Sequence, residues 1–385
     1  MSEYQYYEFL AIDRPLTTEE MSALRGLSTR AHITTVSFTN EYQWGNFKGN
    51  PDDLMRRFFD AHVYVANWMT AIFMVRLPIE AMPNKIIEEV MVDGVLDFEA
   101  TETHWLITWR LDESEDYGRF GMEDGRGWMA RLAPVRDELL RGDARSLYIG
   151  WLAAVTRQMI DDDDLEPLTV EGLGNLTTAQ QALAEFLEVD EDLLAGAGMG
   201  SPVLQAKGPR QKEMDDWLDE LPHDEALAFL KQVLAGQSLK AERTLRNRFF
   251  AWRRGVQGDK AETPRRTVEE LWKNAEAAAK RRLEQEKRRK ETVEKKRRQE
   301  RDAYLAALSK DFPKAWKAVR QKIERGSGLA YDEACQSLVN LSEAYSIHAS
   351  RMAFRQELRA FMVDHLRRKA LVQRLVKAAI WHEER

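Results

Sequence analysis

One histidine with two glutamates nearby in the sequence is the first candidate for chemistry. The alternation of residues 105–111 predicts a strand that carries Trp105 and Trp109 on one side and His104 on the other, with Glu99 and Glu102 a few residues before it. An imidazole beside carboxylates on a sheet surface can act as a general base or hold a metal ion. A half-exposed strand histidine is the commoner meaning of this pattern, so an enzyme with a site near His104 is our second alternative.

Three other residues of reactive type fit structural roles better. His365 is in register with Phe361 of a predicted helix, which predicts a hydrogen-bonded core histidine. His62 is expected on the same helix as Phe59, with the same role. Cys335, the only cysteine, lies near apolar positions and has no basic neighbour that would activate it, so we expect a packed thiol.

Two segments partly match ligand-binding motifs. Gly196, Gly198 and Gly200 match the first part of a phosphate-binding glycine pattern, but they follow an acidic helical stretch instead of a strand. This context predicts that residues 194–202 form a flexible linker and not a nucleotide-binding site. The four aspartates at 161–164 lack the ordered ligand spacing of an EF-hand, so they predict a solvated turn.

Whole motif classes are missing from the chain. It has no P-loop, no His-Glu-x-x-His and no Gly-x-Ser-x-Gly. A single cysteine excludes a disulfide framework and a cysteine-built zinc site, and no apolar run approaches the roughly 18 residues of a membrane span. We therefore expect no catalytic residue, no metal and no cofactor, no small-molecule substrate and no membrane partner, and we favour a protein that is not an enzyme.

The most distinctive segment runs from residue 266 to about residue 308. It is rich in strong helix formers but lacks the sustained apolar heptads of a coiled coil, so we expect a helix of about 60 Å that is exposed throughout or packs only at its ends. Pairs of a Glu and a basic residue four positions later each add about 0.2–0.5 kcal/mol of helix stability. The pairs are Glu276–Lys280, Glu284–Arg288, Glu286–Lys290, Glu291–Lys295 and Glu294–Arg298.

This helix is the main candidate for binding an anionic partner. Residues 281–298 contain ten cations and four glutamates, a net charge of +6. The interleaved glutamates repel phosphate and no aromatic residue is present for base stacking, which favours a protein over nucleic acid; a simple spacer helix is also compatible with the pattern. Including a second basic stretch, the candidate residues are Arg281, Arg282, Lys287, Arg288, Arg289, Lys290, Lys295, Lys296, Arg297, Arg298, Arg367, Arg368 and Lys369.

Charge is distributed unevenly along the 385 residues. The formal net charge is −7, but residues 1–200 have 36 acidic and 16 basic side chains, whereas residues 201–385 have 28 acidic and 41 basic ones. The two halves therefore carry −20 and +13. This asymmetry directs an anionic partner to the second half, and it also permits the acidic half to mask the basic half.

The elements that must position these residues begin with an α+β region. Strand and helix signals alternate over residues 1–112 and predict a small mixed sheet, ferredoxin-like or related, with helices on one face. Thr17 and Glu20 form a capping box, and Asn50 followed by Pro51 begins a helix expected to reach about Trp68.

The rest of the chain has helical periodicity. We expect a mostly α-helical body, the long charged helix and a C-terminal helical bundle whose apolar stripes suit four helices with short loops. The predicted divisions are 1–112 for the sheet domain, 113–160 for a helical extension, 161–212 for the acidic loop, a short helix and the flexible linker, 213–258 for a helical group, 259–310 for the charged helix and 311–385 for the bundle.

Four segments carry a family resemblance: WGNFKGNP at Trp44–Pro51 and ANW at Ala66–Trp68 within the run Tyr4–Pro78, TTAQQALAEFLEVDEDLLA at Thr177–Ala195 and WLDELP at Trp217–Pro222. Together they resemble a family of bacterial proteins that has no assigned activity. The resemblance implies a bacterial cytoplasmic protein and assigns no site residue.

The sequence thus favours a multi-domain cytoplasmic adaptor or scaffold, without enzymatic activity, that binds a macromolecular partner through its basic helix and helical tail. A nucleic-acid-binding component of a genome-maintenance or defence complex is the first alternative.

Overall fold

The computed structural model describes residues 4–112, 125–204, 211–257 and 264–381. The chain divides into two compact units, residues 1–281 and residues 282–385. Helix α12 (Val268–Ser309) is continuous across the division, so it begins in the first unit and ends in the second.

The first unit contains an antiparallel sheet. Its seven strands among the described residues lie in the order β2-β3-β1-β4-β5-β7-β6, and every pairing is antiparallel. The α+β class is confirmed, but every described strand pairing is antiparallel, whereas the prediction was a mixed sheet, ferredoxin-like or related. The strands are β1 (Gln5–Leu10), β2 (His32–Ile33), β3 (Ser37–Tyr42), β4 (Ala61–Ala66), β5 (Thr70–Pro78), β6 (Leu96–Ala100) and β7 (His104–Leu111).

Both faces of this sheet are covered, and the prediction of helices on one face is therefore wrong. Every residue of β4 is buried: Val63 and Val65 contribute to the core on one face, while Tyr64 and Ala66 contribute to the core on the other. Because successive strand residues point to opposite faces, a central strand that is apolar throughout needs cover on both.

Two short helices cover the smaller core. Helix α1 (Thr18–Leu27) begins with the predicted capping box of Thr17 and Glu20, and α2 (Pro51–Arg57) begins at the predicted Asn50 cap. Helix α2 ends at Arg57, well before the predicted end at Trp68. The residues that follow include β-branched Val63 and Val65, which favour the strand that forms there.

The larger core lies between the other sheet face and a layer of helices. It contains Phe73 and Trp109 from the sheet, with Leu152 and Phe186 from the helices. The helices of this layer are α3 (Asn84–Val90), α4 (Trp128–Leu132), α5 (Pro134–Leu140), α6 (Arg145–Thr156), α7 (Thr178–Phe186) and α8 (Glu191–Met199).

Helix α8 replaces most of the predicted flexible linker at 194–202. Asp190 caps the helix by accepting a hydrogen bond from Leu193 N at 2.7 Å. A β-carbon on Gly196 would lie 2.5 Å from the backbone nitrogen of Ala275 in α12, so the glycine permits close contact between two helices. Packing of this kind needs a small residue within a helix, whereas the local sequence pattern favours a loop.

A helical group completes the first unit. Its helices are α9 (Gln211–Glu220), α10 (His223–Leu234) and α11 (Ser238–Gln257). Trp217, Phe249 and Phe250 form a small separate core within this group.

The second unit has the predicted bundle. Trp316, Leu338, Phe361 and Leu375, one from each of its helices, are buried in a single core. The helices are α13 (Phe312–Glu324), α14 (Gly328–His348), α15 (Arg351–Val363) and α16 (Lys369–Lys377).

Candidate functional site

The middle of α12 is exposed to solvent. Every residue from 281 to 300 is exposed, whereas Leu271 and Ala275 are buried near the start of the helix and Leu305 is buried near its end. The expectation of a helix that packs only near its ends is confirmed. Its middle part depends on its own side chains for stability.

The start of α12 is held by a buried ion pair. Glu166, 2% exposed, accepts hydrogen bonds from Arg266 Nη2 at 2.8 Å and from the Tyr148 hydroxyl at 2.7 Å. In the predicted aspartate turn, the backbone carbonyls of Asp164 and Asp162 accept hydrogen bonds from the amides of Val268 and Glu269. The exposed turn at 161–164 therefore serves to cap α12 through its backbone.

Ion pairs stabilise the exposed part of α12. Three of the five predicted pairs form in the described helix: Glu284 with Arg288 at 2.5 Å, Glu286 with Lys290 at 2.7 Å and Glu294 with Arg298 at 2.6 Å. The Lys290 ammonium lowers the pKa of Glu286. Lys296 lies 3.9 Å from Glu300. Each exposed pair contributes a few tenths of a kcal/mol.

Four cations of the candidate surface have no such carboxylate. Among the described residues, Lys287, Arg289, Lys295 and Arg297 form no ion pair. Because successive helical residues turn by about 100°, these four side chains are distributed around the helix and do not form one stripe. Arg281 donates to Met199 Sδ at 3.1 Å, and Arg282 makes a further interaction of its own.

The second predicted basic stretch contains both a structural residue and exposed ones. Arg368 precedes α16 and donates to the carbonyl of Ile323 at 2.6 Å and to the Tyr331 hydroxyl at 3.2 Å, which ties it to the bundle. Arg367 and Lys369 are exposed. The structure therefore leaves two of these three cations facing solvent.

The predicted pairing of His104 with a glutamate does not occur. Glu99 binds the Arg56 guanidinium at 2.7 Å, and Glu102 is exposed; among the described residues neither carboxylate hydrogen-bonds to His104. The His104 Nδ1 atom instead lies 2.7 Å from Thr103 Oγ1. Burial and then the charge of Arg76 lower the pKa of His104, so the imidazole is neutral at pH 7.

A buried charge network lies close to His104, and sequence reasoning did not find it. Asp60, 1% exposed, pairs with Arg76 at 2.7 Å, while the fully buried Arg136 donates to Asp13 Oδ2 at 2.7 Å. Asp60 also accepts the Asp13 amide at 2.8 Å. These charges come from distant parts of the chain, and no local motif joins them.

The other reactive residues have structural surroundings. His62 lies on β4 and not on a helix; its ring stacks on Phe9 at 3.9 Å, and burial lowers its pKa to about 4. His365 follows α15, and its buried Nδ1 has no hydrogen-bond partner in the described residues, contrary to the predicted bonded histidine. Cys335 packs against the bundle core, and burial raises its thiol pKa.

The described part of the chain offers neither a metal site nor a membrane-spanning helix, and the chain matches no known protein family. No group of three or more His, Cys, Asp or Glu side chains is arranged to hold a metal ion in that part of the chain. None of the helices in the described ranges has the length and apolar character needed to cross a membrane. No protein-family model, no curated protein and no solved structure matches this chain.

Proposed function

We propose that this protein is a cytoplasmic, non-enzymatic adaptor that binds an acidic macromolecular partner, a protein, through α12 and the helical bundle that follows it. The observation that carries the proposal is the exposed stretch 281–300, with a net charge of +6 over residues 281–298. Lys287, Arg289, Lys295 and Arg297 can meet a partner carboxylate without breaking an ion pair of their own.

The composition of this surface favours a protein partner. The Glu side chains between the cations repel the regularly spaced phosphates of a nucleic acid, but acidic and basic side chains on a protein can match a mixed pattern. The window 281–298 contains no aromatic side chain that would stack on a base. The all-round distribution of cations also suits an irregular acidic surface better than a single straight phosphate ridge.

The proposal is tested by removing only the four unpaired cations. In the test variant Lys287, Arg289, Lys295 and Arg297 become Gln, which lowers the charge of residues 281–298 from +6 to +2 and keeps good helix formers at each position. The matched control exchanges Lys for Arg and Arg for Lys at the same four positions. Helix content is compared by circular dichroism.

Each protein is crosslinked in nuclease-treated and untreated lysate of the native host, and captured proteins are quantified by mass spectrometry. We expect the wild type and the charge-preserving control to capture the same acidic protein with or without nuclease. The Gln variant should capture at least about tenfold less of that protein. Capture that disappears after nuclease treatment would instead assign α12 to nucleic acid. Equal capture by the Gln variant would show that α12 is not the binding surface.

A further inference from the structure

A cavity of about 750 Å³ lies in the first unit, between one end of the sheet and helix α11. Helix α11 lines one wall with Lys240, Arg243, Thr244 and Asn247, residues whose three- and four-residue spacing places them on one helical face. The opposite wall contains the segment after β1, the end of α2, the end of β5 and the start of β7, where His104 lies.

Positive charge dominates the lining of this cavity. Two acidic residues, Asp13 and Glu80, accompany six cations. The Asp13 carboxylate is already engaged by the buried Arg136 at 2.7 Å, which reduces its repulsion of an anion. The six cations are Arg14, Arg57, Arg76, Lys240, Arg243 and Arg248.

Among the described residues, three of these cations have no carboxylate within hydrogen-bonding distance. Arg14, Arg76 and Arg248 pair with Glu20, Asp60 and Glu225 at 2.6–2.7 Å.

Lys240 and Arg57 form no ion pair with any described residue, and the nearest carboxylate oxygen to Arg243 is Asp13 Oδ1 at 3.9 Å. The Nε atom of Arg243 and the Oδ1 atom of Asp13 are both buried without a hydrogen-bond partner in the described chain. A buried donor without a partner is costly, so Asp13 leaves part of the hydrogen-bonding capacity of the Arg243 guanidinium unsatisfied.

The cavity wall is held in place before any ligand arrives. Asp60 Oδ2 accepts the backbone amides of Ile12 and Asp13 at 2.6 and 2.8 Å, and Arg136 Nε donates to the carbonyl of Arg76 at 2.7 Å. Because the backbone of this wall is fixed before a ligand binds, less conformational entropy is lost on binding.

We propose that this cavity binds a small molecule that carries a polyphosphate group. Several guanidinium groups can each donate two parallel hydrogen bonds to phosphate oxygens, and a ligand with three or four negative charges matches the excess of cations better than a single phosphate does. The volume lies in the range of ordinary ligand sites. The neutral His104 and the side chains of Thr103, Thr244 and Asn247 provide hydrogen-bonding groups beside the cations.

Calorimetric titration of the full-length protein with sodium tripolyphosphate at about 50 mM salt and pH 7 tests the proposal. We expect saturable binding at one site per chain. Lys240→Gln and Arg57→Gln remove exposed cations from opposite walls without breaking an ion pair, and each should weaken binding about tenfold. Lys48→Gln removes the same charge from an exposed position of the first unit that does not line the cavity, and it should leave the affinity unchanged.

Two further titrations define the ligand. If ATP binds more tightly than tripolyphosphate, the ligand is a nucleoside polyphosphate. If tripolyphosphate binds more tightly, the ligand is an inorganic polyphosphate. Equal affinity for citrate and tripolyphosphate would overturn the proposal. The absence of tripolyphosphate binding at millimolar concentration would overturn it as well. An equal loss of affinity in Lys48→Gln would also overturn it. The α12 variants that test adaptor function leave the cavity intact, so the two proposals can fail separately.

Discussion

Gly196 gives the sharpest test of how the first unit is packed. A β-carbon at this position would lie 2.5 Å from the Ala275 nitrogen, 2.8 Å from the Asn274 carbonyl carbon and 2.9 Å from the Ala275 α-carbon. All three are backbone atoms, so no rotation of a side chain can relieve the contact. In Gly196→Ala, helices α8 and α12 must therefore move apart.

The expected cost follows from two opposed effects. Overpacking of a tight contact costs about 1–3 kcal/mol, while Ala in place of Gly favours a helix by about 1 kcal/mol. Separation of the helices would also lengthen the hydrogen bond from Arg266 Nη1 to the Ala197 carbonyl, now 2.9 Å, and loosen the packing of Leu193 and Leu271. We expect a net destabilisation of about 1–2 kcal/mol.

Hydrogen exchange measured by mass spectrometry checks this locally, because peptides from 191–199 and 268–281 report the opening of the two helices. A loss of 1–2 kcal/mol corresponds to exchange about 5–30 times faster.

Gly26→Ala is the matched control, since Gly26 lies in exposed α1 and a β-carbon there would have no atom within 4 Å. It should be neutral or stabilising. Slower or unchanged exchange in Gly196→Ala, like that expected for Gly26→Ala, would refute the packing argument.

Three further predictions concern buried or half-buried groups. Burial lowers the pKa of His62 from 6.5 to about 4, so in this pH range the unfolded chain binds a proton that the folded protein excludes. The free energy of unfolding should therefore fall as the pH drops from about 6.5 to about 4. In His62→Gln the urea midpoint of unfolding should depend less on pH across that range. Asp60→Asn leaves the fully buried Arg136 and its neighbour Arg76 without their shared carboxylate and should cost about 3–5 kcal/mol in calorimetric unfolding, whereas Glu99→Gln at an exposed pair should cost less than about 1 kcal/mol. Because burial raises the thiol pKa of Cys335, iodoacetamide should alkylate it more than about tenfold more slowly in the native protein than in urea; equal rates would contradict its packed position.

Local signals in the sequence predicted much of the secondary structure. The caps at Thr17 and Asn50, the strand with Trp105 and Trp109 on one side and the stripes of the C-terminal bundle all depend on neighbours within a few residues. The same holds for α12, whose exposed part is stabilised by pairs four residues apart. Such features can be read locally because the interacting groups are close along the chain.

Predictions failed where distant contacts outweighed local preference. The glycine-rich segment around Gly196 has weak helix propensity, but close packing against Ala275 accompanies its helical structure. His62 follows a short helix, and strand pairing on both sides of β4 places it in a sheet. The prediction also missed that helices cover both faces of the sheet. Which helices pack on which face depends on contacts between distant elements, and hydrophobic periodicity does not specify those contacts.

The sequence by itself determined the caps of α1 and α2, the bundle and the charged surface of α12, because each is encoded by residue types at short, regular spacing. Only the tertiary structure decided that Glu99 pairs with Arg56, that His104 stands beside Thr103 and that Asp13 joins a guanidinium 123 residues away. It also created the cationic cavity, whose lining comes from separate elements between residues 13 and 251. Such sites have no local signature, since their free energy comes from charges and burial that arise only after the chain has folded.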